Sequence, residues 1–423
     1  MPPLEDPLLP PPPPSTPCQF HLMNSTFRPR FRFPSAAMVF LWALLLLSFT
    51  ASYLILVDPG HRSTSLQRNI RSSAEIRRPN GITVLVTGAA GFIGSHVSLA
   101  LKSRGDGVVG VDNFDNYYGR ALKKTRRDLL EFHGVYVVNG DVNDPRLLSM
   151  LFETVEFTHV MHLAAQVGVQ YAVENPYAYV RSNIASLVTL LEQCKSSDPQ
   201  PAIVWASSGS VYGAQNKVPF SETDRVDPPT TLYASTKRTG EEITHTYNRL
   251  HGLSITGLRF FTVYGPWGRP DMAYFSFIRN ILHGKPITMY RAKNRVDLAR
   301  EFIYIDDIVK GCVASLDTSG KSIGSSGSKN ESAPYRIFNL GNGSPVTVPA
   351  LVTILEENLK MKVEKDVVDM CENGDDSFAY VNISLAEREL GFKPTTDLQT
   401  GLREFVKWYL WYYGKPLVEN RNV

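Results

Sequence analysis

The chain has 423 residues, of which 43% are apolar and 20% are charged, with only four cysteines. This composition excludes a wholly disordered chain, a collagen-like repeat and a small domain held together by disulfides. The formal net charge of +3 is too balanced to indicate nucleic-acid binding.

The first 80 residues differ in character from the rest. Nine of the first 17 residues are proline, so residues 1–35 are predicted to be a Pro-rich tail without a packed core. Residues 36–57 contain no charge, and a helix of about 20 apolar residues spans a bilayer core. We therefore predict a transmembrane anchor at 36–57, because a cleaved signal peptide has a shorter apolar run. Residues 58–80 contain five arginines and no clear apolar period, which indicates a stem.

A nucleotide-binding pattern begins at Ile82. A β-branched run ends at Thr87 and leads into Gly88, Gly91 and Gly94, and a helical stretch follows at once. A strand, a glycine turn and a helix in this order are typical of a site for a dinucleotide pyrophosphate. Asp112 lies 21 residues after Gly91 at the end of the next apolar run, where a carboxylate that binds ribose is expected. An acidic partner favours NAD over NADP.

Strands and helices continue to alternate after Asp112. Further strands are predicted at 135–139, 159–163 and 202–206, and helices at 177–194 and 232–250. This alternation predicts an α/β fold of the Rossmann type, with a doubly wound parallel sheet. Ligands of such sheets bind beyond the carboxyl ends of the strands, where the chain here has small and polar residues.

Tyr233 and Lys237 are four residues apart in the helix predicted at 232–250. This spacing places the phenol and the ammonium on one helix face, where they can meet one ligand. A nearby cation favours the phenolate, which can accept a proton from a sugar hydroxyl. The pair alone is weak evidence, but Ser208 at a strand end and the glycine turn strengthen it. Together they suit hydride transfer at a secondary alcohol.

At this point the sequence resembles a known family. The motifs are Thr87–Gly94, His162–Gln166, Ser208–Gly213 and the Tyr233/Lys237 pair, joined by Arg259–Met272. They resemble the NAD-dependent epimerase/dehydratase family of the extended short-chain dehydrogenase/reductase superfamily, and within it the plant UDP-glucuronate 4-epimerases. The resemblance runs from about Ile82 to Tyr413. It implies a UDP-sugar substrate, tightly held NAD, a Golgi membrane location and a homodimer. The arginines that precede residue 36, with Asp58 after the apolar run, favour a cytosolic N-terminus and a lumenal catalytic domain.

The resemblance also implies roles for individual residues. Tyr233, Lys237 and Ser208 correspond to the catalytic residues. The NAD-binding residues implied, besides Tyr233 and Lys237, are Gly88, Gly91, Phe92, Ile93, Gly94, Asp112, Asp141, Val142, Leu163, Ala164 and Ala165. The substrate-binding residues implied are Ser208, Ser210, Thr262, Arg269, Arg300 and Asp375.

Three positions depart from the family pattern. Glu372 and Gln170 stand where relatives have Arg, and Gly209 stands where they usually have Ser. An anion beside a diphosphate is unfavourable, so Glu372 puts the affinity for UDP in doubt. None of the three changes touches the Tyr233/Lys237 pair, so they bear on efficiency more than on reaction type.

The domain organisation follows from these motifs. We predict an NAD-binding domain at 81–262 and a smaller, partly interleaved UDP-sugar-binding region at 263–423. No metal site is expected, because no His or Cys spacing matches a known ligand pattern. Two alternatives to a 4-epimerase stay open: a UDP-glucuronate decarboxylase, which shares the first oxidation, and a non-catalytic NAD-binding scaffold anchored in a membrane.

Overall fold

A computed structural model of the chain describes residues 36–57, 59–213, 217–226, 228–291, 297–324, 332–369 and 380–414. The chain divides into two compact units, with the division between Arg62 and Ser63. The first unit contains helix α1, Ala36–Val57. Side chains are described for Met38 and for residues 40–50, and all of these are exposed. Within the described ranges, no helix combines the length and the apolarity needed to cross a bilayer. The anchor at 36–57 therefore stays a prediction.

The remaining helices and strands alternate along most of the second unit. After α1 the helices are α2 Pro59–Ser73, α3 Phe92–Ser103, α4 Arg120–Phe132, α5 Pro145–Thr154, α6 Val169–Glu174, α7 Pro176–Tyr179, α8 Ser186–Ser196, α9 Leu232–His251, α10 Ala273–Leu282, α11 Ile305–Asp317, α12 Val348–Leu359, α13 Ser384–Leu390 and α14 Leu398–Tyr413. The strands are β1 Thr83–Thr87, β2 Gly107–Asp112, β3 Tyr136–Asn139, β4 His159–His162, β5 Ala202–Ser208, β6 Ile255–Phe260, β7 Thr262–Tyr264, β8 Ile287–Arg291, β9 Ala299–Tyr304, β10 Tyr335–Leu340, β11 Pro345–Thr347 and β12 Lys365–Asp369.

A seven-stranded sheet forms the core, in the order β10-β6-β5-β4-β1-β2-β3. Every neighbouring pair in it is parallel, and Leu85 at its centre is level with Val109 and Val160. All residues of β1 and β2 are buried. Strands that are buried on both faces need helices on both sides of the sheet, as the Rossmann-type prediction requires. The α/β prediction is thus confirmed for this sheet.

A small sheet follows directly on the large one. Strand β6 ends at Phe260, and β7 begins at Thr262 in a three-stranded sheet of order β11-β9-β7. Strand β9 carries Arg300, and its pairing with β7 places Phe302 beside Thr262. Strand β10, from the C-terminal half, returns to the edge of the large sheet. The sheets are therefore interleaved within one compact unit, and the boundary at 262 remains a prediction.

The segment predicted as a stem contains helix α2, which packs on the core. Ile70 is fully buried, and Leu66 packs against the same cluster of apolar side chains. The Ser73 hydroxyl donates to the Val108 carbonyl and accepts the Tyr136 N–H at 2.7 Å, at the amino ends of β2 and β3. The segment thus contains a packed helix, because two apolar residues four apart among arginines suffice for one buried helix face. Its role as a stem stays a prediction.

A truncation test follows from the packing of α2. A chain that begins at residue 81 loses the Ile70 contacts, about 1.5–3 kcal/mol for one buried side chain, and leaves the Tyr136 N–H without the Ser73 hydroxyl. We expect it to melt several degrees lower than a chain that begins at Ser63. Thermal unfolding monitored by circular dichroism measures the difference, and equal midpoints for the two chains would contradict a structural role for α2.

Candidate active site

A cavity of about 1000 Å³ opens at the carboxyl ends of the strands in the large sheet. Its walls come from the segments that follow β1 to β6, as expected for a ligand site in a doubly wound sheet. Eighteen of the predicted site residues line it: Gly88, Gly91, Phe92, Ile93, Gly94, Asp112, Asp141, Val142, Leu163, Ala164, Ala165, Ser208, Ser210, Tyr233, Lys237, Thr262, Arg269 and Arg300. Asp375 and Glu372 lie outside the described residues. The structure thus brings the predicted residues together, while their individual roles remain predictions.

The glycine loop has the geometry of a phosphate cradle. Gly88 has a φ of +69°, and a Cβ there would lie 2.8 Å from the Ala164 nitrogen. A Cβ on Gly94 would lie 2.2 Å from the Gly88 carbonyl oxygen, so only glycine allows this approach of helix and strand. Helix α3 begins at Phe92, and the N–H groups of its first turn have no acceptor within the helix. These donors suit the pyrophosphate of a dinucleotide.

Asp112 lies at the end of β2 on the cavity wall. Its carboxylate accepts the N–H groups of Ala90, at 3.1 Å, and Phe114, at 2.8 Å, which fix its orientation. Lys123, from α4, lies 3.7 Å from the same carboxylate and also lines the cavity. Lys123 could not be predicted from the sequence, because nothing in its local pattern distinguishes it from a solvent-facing lysine of an amphipathic helix. Burial would raise the pKa of Asp141, but hydrogen bonds from Asn143 and the charge of Arg181 hold it below its ordinary value.

Gln166 follows β4 and lines the same cavity. Its backbone N–H donates to the Asn183 side-chain oxygen at 2.7 Å, and the Asn183 amide donates to its carbonyl at 2.9 Å. Its buried side-chain Nε2 has no hydrogen-bond partner within the described chain. A buried polar atom that faces a cavity without a partner is most simply satisfied by a ligand. The glycine cradle and this amide together fit a bound dinucleotide.

Helix α9 presents Tyr233 and Lys237 on one face toward the cavity. The helix begins at Leu232, after Thr231, whose hydroxyl accepts the Ala234 N–H at 3.1 Å. The Lys237 ammonium donates to the Ala206 carbonyl in β5 at 2.8 Å. The Ser208 hydroxyl, at the end of β5, lies near enough to the Tyr233 phenol to lower its pKa. The strand end and the helix start therefore assemble the hydroxyl, phenol and ammonium that the sequence predicted.

The protonation properties of this group follow from burial. Burial raises the pKa of Tyr233, and the nearby Ser208 hydroxyl and the positive charge of Arg269 oppose that rise. Burial lowers the pKa of Lys237 to about 7. We expected Lys237 to favour the phenolate, but here its ammonium is bound to a carbonyl, and Arg269 is the cation that acts on Tyr233. A bound ligand whose positive charge offsets the effect of burial would lower the pKa of Tyr233 and so favour the phenolate.

The predicted substrate side of the cavity is rich in hydroxyl and guanidinium groups. Thr262 opens β7, and Arg300, on β9, donates to the Ala299 carbonyl at 3.0 Å. Arg269 forms an ion pair with Asp271, with nitrogen–oxygen distances of 3.1 and 2.5 Å. A side chain at Gly209 would place its Cβ 2.8 Å from the Phe261 ring, so the missing serine leaves room for that ring. The side chain of Gln170 is not among those described.

Known proteins share this chain's sequence and architecture. Residues 84–341 match the model of the NAD dependent epimerase/dehydratase family. UDP-glucuronate 4-epimerase 1 of Arabidopsis thaliana is 63% identical over 424 residues, 98% of each chain, and UDP-glucuronate 4-epimerase 4 of that plant is 64% identical over 350 residues, 82% of this chain and 80% of the relative. The UDP-glucuronic acid 4-epimerase of Bacillus cereus, solved with UDP-glucuronic acid and NAD, superposes with a TM-score of 0.67 at 31% identity, over 77% of this chain and 98% of that one. The chain therefore belongs to the NAD-dependent epimerase/dehydratase family.

Proposed function

We propose that this chain is a UDP-glucuronate 4-epimerase. It interconverts UDP-glucuronate and UDP-galacturonate, a precursor for pectic polysaccharides, through a 4-keto sugar. One observation carries the proposal: Tyr233 lines the same cavity as Ser208, Lys237 and the glycine cradle. The proposed substrate class is supported by six Arabidopsis thaliana UDP-glucuronate 4-epimerases that are between 57% and 64% identical to the chain.

The residues of the cavity divide the reaction between them. Bound NAD would supply an acceptor for the C4 hydride and return it later in the cycle. Tyr233 takes the proton of the sugar 4-hydroxyl as C4 loses its hydride, and gives it back when the ketone is reduced on its other face. Ser208 holds the sugar oxygen beside the phenol. Lys237, fixed by the Ala206 carbonyl, would orient the nicotinamide ribose.

A uronate substrate demands a further property of the site. The 4-keto intermediate is a β-keto acid, which loses CO₂ when its carboxylate bond aligns with the carbonyl π system. An epimerase must hold the carboxylate out of that alignment. Ser208, Ser210, Thr262 and Arg269 line one cavity and offer hydroxyl and guanidinium donors for this purpose. The segment from Thr262 to Met272 favours the epimerase over the decarboxylase.

Product analysis tests the proposal. The purified chain is incubated with UDP-glucuronate and, in parallel, with UDP-glucose, and the products are identified by proton NMR. We expect UDP-galacturonate from the first substrate and little conversion of the second. A pentose sugar nucleotide would instead identify a decarboxylase. Retention of NAD without turnover of either sugar would favour the non-catalytic scaffold.

We further propose that the chain is anchored in a Golgi membrane by residues 36–57, with the catalytic unit in the lumen. The uncharged 22-residue run supports the anchor, as does the exposure of Phe40 and Phe49, at 72% and 77%. Carbonate extraction and protease protection of isolated microsomes test it, and a chain released by carbonate would contradict it.

A homodimer is proposed from the family resemblance, and light scattering of the purified catalytic unit tests it.

A further inference from the structure

Arg126, in α4, is a buried cation that touches two functional loops. Its side chain is fully buried. One terminal nitrogen donates to the Ala90 carbonyl at 3.2 Å and to the Tyr118 hydroxyl at 2.8 Å. The other donates to the carbonyls of Trp267 and Gly268, at 2.5 and 3.2 Å. One guanidinium therefore joins the glycine loop, through Ala90, to the backbone immediately before Arg269.

The surroundings of Arg126 are unusual for a buried charge. No carboxylate of the described residues forms an ion pair with it, and its Nε has no hydrogen-bond partner there. An unpaired buried charge is expensive, and backbone carbonyls compensate it only through the fixed fork of the guanidinium. A lysine has one nitrogen and cannot reach carbonyls on both sides. The geometry thus requires arginine and links the two loops rigidly.

A second contact holds the same loop from the cofactor side. The Tyr117 hydroxyl, in the segment between β2 and α4, donates to Asp271 at 2.9 Å, and Asp271 pairs with Arg269. Tyr117 and Arg269 both line the cavity. The loop that bears Arg269 is therefore fastened at its backbone by Arg126 and at its side chains by Tyr117.

We propose that Arg126 is a positioning residue that couples the glycine loop to Arg269. The preference for one sugar over another then depends on a residue that touches neither the dinucleotide nor the sugar. Tyr117 supports the same loop through Asp271. The inference rests on the proposed function for its substrate. Occupation of the glycine loop orders residues 265–272 through Arg126, and the ordered loop holds Arg269 where it discriminates a uronate from a neutral sugar.

Arg126→Lys and Arg126→Met are compared with wild type in the full chain. We expect kcat/KM for UDP-glucuronate to fall by about 10- to 100-fold, as small misplacements of binding groups do, while kcat/KM for UDP-glucose changes little. The ratio of kcat/KM for UDP-glucuronate to kcat/KM for UDP-glucose should therefore fall. Tyr117→Phe should lower the same ratio less. Arg127→Met, at the next position of α4, is the matched control, since Arg127 is partly exposed, forms ion pairs with Asp128 and Glu131, and lies over the Phe114 ring.

Hydrogen exchange provides a readout that does not depend on the sugar. Returning NAD to protein from which the bound NAD has been removed should slow amide exchange in residues 265–272 of wild type and of Arg127→Met, and should do so much less in both Arg126 variants. Equal slowing in Arg126→Lys, or an unchanged ratio of kcat/KM values, would overturn the proposal. If wild type does not convert UDP-glucuronate, the proposed function fails, and the exchange experiment still decides the coupling. If Arg126→Met does not fold, Arg126→Lys decides it.

Discussion

Replacing Tyr233 by phenylalanine should abolish turnover and leave the protein folded. The change removes one oxygen, which is the candidate proton acceptor on a residue that lines the cavity together with Ser208. A positioned acid–base group contributes about 10²–10⁴-fold to the rate, so kcat for UDP-glucuronate should fall by at least that factor. Retention of NAD should be unchanged, because the glycine cradle is untouched. Steady-state kinetics and the absorbance of the purified protein measure the two properties.

Tyr247→Phe is the matched control for this prediction. Tyr247 lies on the same helix, and its hydroxyl donates to the exposed Glu192. This variant should keep wild-type kcat. If Tyr233→Phe keeps more than a few per cent of the wild-type rate, another group moves the proton and the assignment of Tyr233 is wrong.

Replacing Lys237 by methionine should remove activity and raise stability. Burial lowers the pKa of the Lys237 ammonium to about 7, because the charged form is less stable in the protein interior than in water. The folded state therefore carries a free-energy cost at this residue. Methionine fills a similar volume without a charge, although it leaves the Ala206 carbonyl without its donor. We expect a net gain on the order of 1–3 kcal/mol near neutral pH, and a loss in kcat of about 10²–10⁴-fold.

The pH dependence of this gain has a definite sign. Between about pH 7 and about pH 10.5 the unfolded chain binds a proton at Lys237 and the folded chain does not, so the wild type gains stability as pH rises through this window. The advantage of Lys237→Met should therefore be largest at about pH 6 and shrink by about pH 9. Thermal unfolding at both pH values measures it. Lys407→Met, whose lysine is exposed on α14, should show no such trend, and an advantage that grows with pH would refute the explanation.

Local patterns predicted the parts of the site that lie within single segments. The run from Ile82 to Gly94 specifies a strand, a turn that needs positive φ at Gly88, and a helix start, and each has a steric reason that the structure bears out. The helix with Tyr233 and Lys237 likewise follows from its own spacing. The alternation of strands and helices predicts a parallel sheet but does not specify the order of all its strands. The return of β10 to the large sheet depends on packing between distant segments.

Contacts between distant segments were beyond what the sequence could predict. Arg126 reaches Trp267 and Gly268, more than 140 residues away, and nothing around it in sequence marks it as other than a surface arginine. Helix α2 has a mostly polar sequence, and its burial depends on a site at the ends of β2 and β3. In both cases the distant hydrogen-bond partners are backbone groups, which leave no pattern in the sequence.

Helix α2 joins the second unit at the amino ends of β2 and β3, whereas the cavity opens at the carboxyl ends of the strands. A force on the chain upstream of Ser63 is consequently transmitted to the amino ends of β2 and β3. Within the second unit the chain therefore enters at one end of the strands and the cavity opens at the other, so changing the length of the segment before Ser63 should leave the rate of sugar-nucleotide conversion unchanged.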